Sequence, residues 1–417
     1  MRVPGLRPRW RAAGLAMIAL MLICAGCGGA QARPLHVRLA AGPPTAAFVT
    51  PVHISVSGLP PGGLVTLRAR ASDFQGRPWE SAAQFRADAS GDLNLASAVP
   101  VSGSYHVADA AGLLWSLAPA FSGDPSAQFS MNYSGFSVTV QVLIDGQVRA
   151  ETTLRRQASV TSSTQTVARD GFASTLVLPA RPRPGAPVVV VIGGSEGGEP
   201  TFTAEALAAI GYPAMALGYF DEPGLPRCLC NIPLEYFARA VRWLRGQPIA
   251  KGRPLILFGA SRGGEGALLI ASYQPGLFSA VIASSPSSNV YGAFGGPPGG
   301  TAWTWEGKPL PTGTEIPVSR IRVPLLIGDG GLDAVWNSSS SATIIMSELS
   351  ASRDHAPAIN LYYPDAGHAF LGTPPYFPYN GLGGTGIPVG GSQQANAQAD
   401  ERSWARMTAF IDNPGAR

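Results

Sequence analysis

Five uninterrupted apolar runs between residues 188 and 327 predict a parallel β-sheet covered by helices. The runs occupy residues 188–192, 214–217, 255–258, 280–283 and 324–327, with helical patterns such as residues 233–244 between them. Strands buried on both faces read as continuous apolar runs, and right-handed crossovers join them in parallel. We therefore predict an α/β domain over residues 158–417. In such a sheet, functional side chains gather at the carboxyl ends of the strands.

Residues 48–157 follow a shorter period. Apolar and polar residues alternate at 53–57, 64–69 and 138–144, and turns rich in Pro or Gly separate these segments. The pair Asp145-Gly146 is a strong hairpin signal. The pattern predicts an antiparallel β-sandwich. Three histidines in or beside it, His36, His53 and His106, have no neighbouring nucleophile or acid in a catalytic pattern, so we expect them on the surface.

The N-terminus resembles a bacterial export signal. A basic segment without acids precedes a short apolar run at residues 12–23 and then small residues before Cys27; its arginines are Arg2, Arg7, Arg9 and Arg11. Such a run is too short to span a bilayer comfortably as a permanent helix. The stretch Cys24-Ala25-Gly26-Cys27 is similar to a lipoprotein signal, although Cys24 stands where an aliphatic residue is usual.

We therefore expect a signal peptide over residues 1–26, a lipid on Cys27 that anchors an exported protein to the cell envelope, and a tether over residues 27–47. Plain secretion and an uncleaved anchor are the alternatives. The formal charge of +4 falls to about zero once the four signal-peptide arginines are removed, and Lys251 and Lys308 are the only lysines. A nucleic-acid partner is therefore excluded, because a surface that follows phosphates needs clustered positive charge.

Cys228 and Cys230 form a Cys-x-Cys pair whose state the sequence leaves open. A disulfide is chemically permitted outside the cytosol, although so short a loop is geometrically demanding. Two free thiols are the alternative. Metal binding would require further ligands that no nearby Cys or His supplies. We expect no metal and no cofactor, and neither cysteine is the predicted nucleophile.

The motif Gly259-Ala260-Ser261-Arg262-Gly263 stands between a predicted strand and a predicted helix. This is the context of a nucleophile elbow, in which small residues allow a strained turn that exposes the serine hydroxyl. The start of the following helix offers backbone N–H groups and a positive dipole end to a developing oxyanion. Ser261 is the predicted nucleophile.

A serine hydroxyl needs a base, and the base needs an orienting acid. His368 follows a strand-like segment and is the predicted base, whereas His355 lies in a polar segment where a solvated loop is expected. Asp333 lies beyond the carboxyl end of a predicted strand and completes the order Ser, Asp, His. Asp329 and Asp365 are its rivals for the third position.

Oxyanion stabilisation also requires a second backbone donor, which the glycine-rich loop at residues 193–198 can supply. The N–H of Ser195 or Glu196 is predicted to act together with that of Arg262. The loop lacks the Gly-Lys-Ser/Thr ending of a phosphate-binding loop. A simple tight turn is the alternative interpretation.

With these residues placed, the chain resembles the acyl-CoA thioesterase and bile acid-CoA:amino acid N-acyltransferase family. In the first domain the resemblance rests on residues 57–62, 79–81, 103–105 and 112–117. In the second it rests on residues 232–237, 261–265, 307–311, 333–336, 367–368 and 374–378. It implies an immunoglobulin-like sandwich over residues 48–157 followed by an α/β-hydrolase domain over residues 158–417.

The resemblance also implies that Ser261, Asp333 and His368 form the triad and that acyl thioesters such as acyl-CoA are the substrates. Members with Ser at the elbow resemble thioesterases, whereas the branch that conjugates amino acids has Cys. Arg262 stands where the family usually has Lys, and the path from Ser261 to Asp333 is shorter than usual. Because acyl-CoA is a cytosolic substrate, the export signal keeps other interpretations open: an ester hydrolase or acyltransferase on envelope lipids, or a non-catalytic binding lipoprotein.

Overall fold

Two β-sheets in the first half of the chain share one hydrophobic core. The computed structural model describes residues 35–121, 127, 129, 135–157, 162–169, 171–352, 356–368, 370–378 and 387–416. The predicted signal peptide, Cys27 and His355 lie outside these residues. The first-half elements are β1 (Arg38–Gly42), β2 (Thr45–Ala47), β3 (His53–Ser57), β4 (Leu64–Ser72), β5 (Pro78–Arg86), β6 (Leu93–Asn94), β7 (Ser102–Gly103), α1 (Gly112–Trp115), β8 (Ala118–Pro119), β9 (Phe136–Ile144) and β10 (Gln147–Gln157).

The sheets run in the orders β1-β3-β6 and β2-β10-β9-β4-β5-β7, with β8 beside β5. Every second residue of β4 and β5 is buried, as expected for strands with one face on a core. Asp145 and Gly146 both have positive φ, 50° and 74°, which is the turn that joins β9 and β10 with matching twist. The predicted sandwich is confirmed. His36, His53 and His106 are exposed.

The sandwich begins earlier than its alternating pattern indicated. The segment predicted as tether contains β1, which pairs antiparallel with β3, and β2, which pairs with the end of β10. The tether prediction is therefore wrong for residues 38–47. Its Gly, Ala and Pro content concealed a strand in which Leu39 and Ala41 are half-buried, and that pairing depends on partners distant in sequence.

The rest of the chain contains the predicted α/β architecture. Its elements are β11 (Ser162–Arg169), β12 (Phe172–Pro179), β13 (Val188–Ile192), α2 (Thr201–Ala209), β14 (Ala214–Gly218), β15 (Ile232–Pro233), α3 (Glu235–Arg245), β16 (Leu255–Ala260), α4 (Arg262–Tyr273), β17 (Ala280–Ser284), β18 (Trp303–Trp305), β19 (Lys308–Pro309), β20 (Leu325–Gly330), α5 (Ser338–Ala351), β21 (Ala358–Tyr363) and α6 (Gln393–Asp412).

Eight of these strands form one sheet in the order β11-β12-β14-β13-β16-β17-β20-β21. From β14 to β21 all neighbours are parallel, whereas β11 and β12 are antiparallel to their neighbours. The five predicted apolar runs are β13, β14, β16, β17 and β20, and the α/β-hydrolase fold is confirmed. The hairpin of β11 and β12 was not predicted, because Ser and Thr interrupt its apolar pattern. Strands β15, β18 and β19 form a small separate sheet.

An aromatic cluster joins the sandwich to the α/β domain. Phe377 lies 5.8–6.1 Å, centroid to centroid, from each of Phe48, Phe129, Phe136 and Phe202. Phe48 and Phe136 come from the sandwich, and Phe202 comes from α2. The loop after His368 and the helix after the glycine-rich loop therefore both pack on the first domain. Within the described ranges, the helices are too short or too polar to cross a membrane.

Candidate active site

The turn after β16 holds Ser261 in a strained backbone conformation. Its φ is 56° and its ψ is −119°, a region that non-glycine residues rarely occupy and that is frequent at functional sites. A Cβ on Gly259 would collide with the carbonyl oxygen of Gly263, and one on Gly263 would collide with that of Gly193. The motif therefore needs both glycines so that strand, turn and helix can approach closely.

Loops after three strands of the sheet bring Ser261, His368 and Asp333 into line. Ser261 Oγ lies 2.8 Å from His368 Nε2, and His368 Nδ1 lies 2.8 Å from Asp333 Oδ2. The side chains of His368 and Asp333 are 6% and 1% exposed, so water has little access to this contact. The arrangement can take a proton from a serine hydroxyl and stabilise the resulting imidazolium.

The second oxygen of Asp333 is occupied as well. Asp333 Oδ1 accepts hydrogen bonds from the backbone N–H of Val335 at 2.9 Å and of Trp336 at 3.2 Å. Of its two sequence rivals, Asp365 is exposed in the turn after β21, and Asp329 is buried within β20. Burial, with a smaller contribution from the negative charge of Asp333, raises the pKa of Asp329 to about 6. Among the described residues, neither rival has a hydrogen bond or an ion pair to His368.

A buried asparagine that sequence analysis missed holds the His368 loop. Asn396 of α6 accepts a hydrogen bond from Gly367 N–H at 2.7 Å through Oδ1 and donates to the Gly390 carbonyl at 2.9 Å through Nδ2. His368 N–H itself donates to the Val389 carbonyl at 2.7 Å. Asn396 is 1% exposed. The sequence signal that could have identified it is a polar residue on the side of a helix that is buried, because buried polar groups are normally hydrogen-bonded.

Arg262 and Glu265 form a buried ion pair in the first turn of α4. Arg262 Nε lies 2.8 Å from Glu265 Oε2, with side chains 5% and 0% exposed. Glu265 Oε1 accepts from Trp303 Nε1 at 2.8 Å and from Tyr291 N–H at 2.9 Å. Burial raises the pKa of Glu265, against the opposing effects of Arg262 and of these donors. Glu265 is the last residue of the family motif at positions 261–265, and no role was predicted for it from the sequence.

The predicted oxyanion loop lies against the elbow. A Cβ on Gly194 would come within 3.0 Å of Ser261 Cβ. Glu196 turns its side chain onto its own loop, where Oε1 accepts from Gly194 N–H at 2.8 Å. The backbone N–H groups of Ser195, Glu196 and Arg262 have no acceptor among the described residues. The prediction that they donate to a substrate oxygen requires such unpaired N–H groups and stays a prediction.

Cys228 and Cys230 are joined in a disulfide, one of the states that the sequence left open. Leu229 between them pairs with Phe294 through two backbone hydrogen bonds of 3.0 Å. The disulfide therefore lies beside the loop that contains Tyr291. In the sequence it is distant from the triad residues. In the part of the chain that the structure describes, no group of three or more His, Cys, Asp or Glu could hold a metal ion.

Comparisons with known proteins match both halves of the chain. The model of the acyl-CoA thioester hydrolase/BAAT N-terminal region matches residues 49–168, and that of the BAAT/acyl-CoA thioester hydrolase C terminus matches residues 307–414. An esterase model matches residues 241–356. Mitochondrial acyl-coenzyme A thioesterase 2 of Mus musculus is 32% identical over 394 residues, which cover 87% of this chain and 85% of the mouse protein. Acyl-coenzyme A thioesterase 1 of Homo sapiens is 32% identical over 399 residues, covering 87% and 92%.

Proposed function

The chain belongs to the acyl-CoA thioester hydrolase/BAAT family, and from this premise we propose that it hydrolyses acyl thioesters with Ser261 as the nucleophile. The observation that carries the proposal is the line of two 2.8 Å contacts from Ser261 through His368 to Asp333. The curated relatives are named for cleaving acyl-coenzyme A, and fatty acyl-CoA or a related thioester is the substrate class we assign to this chain.

The proposed reaction proceeds in two steps. Ser261 Oγ attacks the thioester carbonyl carbon while His368 Nε2 takes its proton, and Asp333 stabilises the imidazolium. The backbone N–H groups of Arg262 and of Ser195 or Glu196 receive the negative charge that develops on the carbonyl oxygen. The C–S bond then breaks, His368 gives its proton to the departing sulfur, and an acyl-Ser261 ester remains. Water, deprotonated by His368 Nε2, then attacks the acyl carbon. The bond between that carbon and Ser261 Oγ breaks as His368 returns the proton to Oγ, which releases the acid and restores Ser261.

Hydrolysis is favoured over transfer by the oxygen nucleophile. An acyl-cysteine is a thioester and a good donor to amines, whereas an acyl-serine ester is less activated and passes mainly to water. Ser261 at the elbow therefore supports a hydrolase. Transfer to an amine or alcohol acceptor is the alternative, and product analysis with candidate acceptors separates the two.

We further propose that residues 1–26 are a cleaved signal peptide and that Cys27 carries a lipid anchoring an exported protein to the envelope. The support is the arginine-rich start, the short apolar run and the small residues before Cys27. Labelling of cells with a radioactive fatty acid tests it: label should enter the wild-type protein and Cys24→Ala but not Cys27→Ala. Equal labelling of Cys27→Ala, or none of the wild type, would contradict lipidation there.

The export signal is the one observation that favours a second function, namely cleavage of esters or thioesters of envelope lipids. The deciding experiment compares an acyl-CoA series with aryl esters of matching chain length, using purified protein and Ser261→Ala. CoA release that depends on Ser261 and exceeds ester cleavage in kcat/KM supports the proposal. Ester cleavage with negligible CoA release favours the second function. Turnover by neither the wild type nor the variant would instead indicate a binding protein.

A further inference from the structure

The indole of Trp336 packs directly against the imidazole of His368. The two rings are perpendicular, at 86°, with centroids 4.9 Å apart. Perpendicular aromatic contacts are attractive and directional, because the positive edge of one ring faces the negative face of the other. Proton transfer in the triad does not involve this contact, because it proceeds through the two imidazole nitrogens, which face Ser261 and Asp333.

Trp336 is itself held at three points. Its backbone N–H donates to Asp333 Oδ1 at 3.2 Å, and its indole Nε1 donates to the Ser285 carbonyl at 3.1 Å. Its ring stacks on Tyr291 with centroids 5.3 Å apart and planes 26° apart. The indole is therefore a fixed surface rather than a mobile side chain.

The far side of this surface is tied to the helix that follows the nucleophile. Glu265 accepts from Tyr291 N–H, and the guanidinium of Arg262 donates to the carbonyls of Tyr291 and Gly292 at 3.2 Å and 3.0 Å. The same guanidinium lies 5.6 Å from the centre of the Tyr291 ring. One connected set of contacts thus runs from the first turn of α4 through Tyr291 to Trp336 and the catalytic imidazole.

We propose that Trp336 is a positioning residue that fixes the plane of the His368 imidazole and shields its hydrogen bond to Asp333 from water. Hydrogen bonds at the two nitrogens fix the ends of the ring but restrain its tilt less, and a perpendicular indole against it restrains the tilt. A nearly buried hydrogen bond to a carboxylate is stronger than one open to solvent. This inference rests on the proposed function, because it assumes that His368 takes the proton of Ser261.

The kinetic test compares Trp336→Leu with Trp336→Phe. Leu removes the aromatic surface, and kcat should fall by about 10- to 100-fold with little change in KM, as expected for misplacement of a catalytic group. Phe retains a ring against His368 and should recover most of the lost kcat. Trp305→Leu is the matched control, because Trp305 is a similarly half-buried tryptophan that packs on Tyr273 away from the triad.

A second readout does not depend on turnover. In Ser261→Ala protein labelled with ¹⁵N-histidine, the Nδ1–H proton of His368 should exchange slowly with water, and the further change Trp336→Leu should accelerate that exchange. Trp336→Phe should leave it slow. If the wild type cleaves no acyl thioester, the proposed function fails, and this exchange measurement still decides the role of Trp336.

Two results would overturn the inference. The first is a kcat for Trp336→Leu equal to that of Trp305→Leu, or a Phe variant as slow as the Leu variant. The second is an Nδ1–H proton that exchanges rapidly with Trp336 intact, or at the same rate after its replacement.

Discussion

Replacement of Asp333 by Asn tests the triad most sharply, because its two oxygens have different partners. Oδ1 accepts from two backbone N–H groups, whereas Oδ2 faces His368 Nδ1. An asparagine at 333 would keep its oxygen on the backbone donors and turn its NH₂ group toward Nδ1. Because two donors cannot face each other, His368 would carry its proton on Nε2 instead, where it could no longer accept the proton of Ser261.

The expected loss is about 10⁴-fold in kcat, equivalent to about 5 kcal/mol of transition-state stabilisation. The fold should survive, because the two backbone hydrogen bonds remain. The assay is steady-state hydrolysis of the best substrate, with thermal unfolding measured on the same preparation. Asp329→Asn is the matched control: Asp329 is a buried acid, 1% exposed, within the strand that Asp333 follows, and no hydrogen bond or ion pair joins it to His368 among the described residues.

Asp333→Asn with a rate within about tenfold of the wild type would refute the tautomer argument. An equal loss in Asp329→Asn would transfer the role to Asp329, and an equal loss in Asp365→Asn would transfer it to that exposed residue.

Three further predictions concern stability. Burial raises the native pKa of Asp329 to about 6, so the native state binds this proton more tightly than the unfolded chain. The free energy of unfolding of the wild type should therefore fall as pH rises from about 4 to 6. In urea unfolding, Asp329→Asn should gain at most about 1.4 kcal/mol per pH unit relative to the wild type over that range, and nothing further above it. Asp73→Ala should cost about 2–4 kcal/mol, because Asp73 accepts from Arg77, from backbone N–H groups and from the buried indole N–H of Trp79; an equal loss in Asp88→Ala, an exposed turn with similar backbone contacts, would contradict the importance of burial. Gly263→Ala should abolish soluble, active protein, since its Cβ meets the Gly193 carbonyl, whereas Gly246→Ala should be tolerated at its ordinary φ of −74°.

Much of the α/β domain could be predicted because its signals are local. The strands β13, β14, β16, β17 and β20 are buried on both faces and therefore appear as apolar runs. The elbow appears as a motif because Gly259 and Gly263 must lie close to other backbone segments. Chain order then selected His368 and Asp333, which follow strands of the same sheet.

The choice between Asp333 and Asp329 shows where local information ends. Asp329 belongs to β20, and Asp333 follows the same strand, four positions later in the sequence. Asp329 is enclosed within β20, whereas the chain beyond the strand turns Asp333 toward His368 and supplies two backbone N–H groups to its other oxygen. Only the path of the chain after the strand decides which carboxylate reaches the imidazole.

Local sequence thus determined the strands, the elbow and the identity of the residues able to do chemistry, because each of these depends on spacing over a few residues. Only the tertiary structure decided which other residues contact and position these functional residues. Asn396 supports the His368 loop from α6, and Phe377 joins that loop to the sandwich. Glu265 and Trp336 meet through Tyr291. These contacts join residues far apart in sequence, so their partners exist only once the chain has folded.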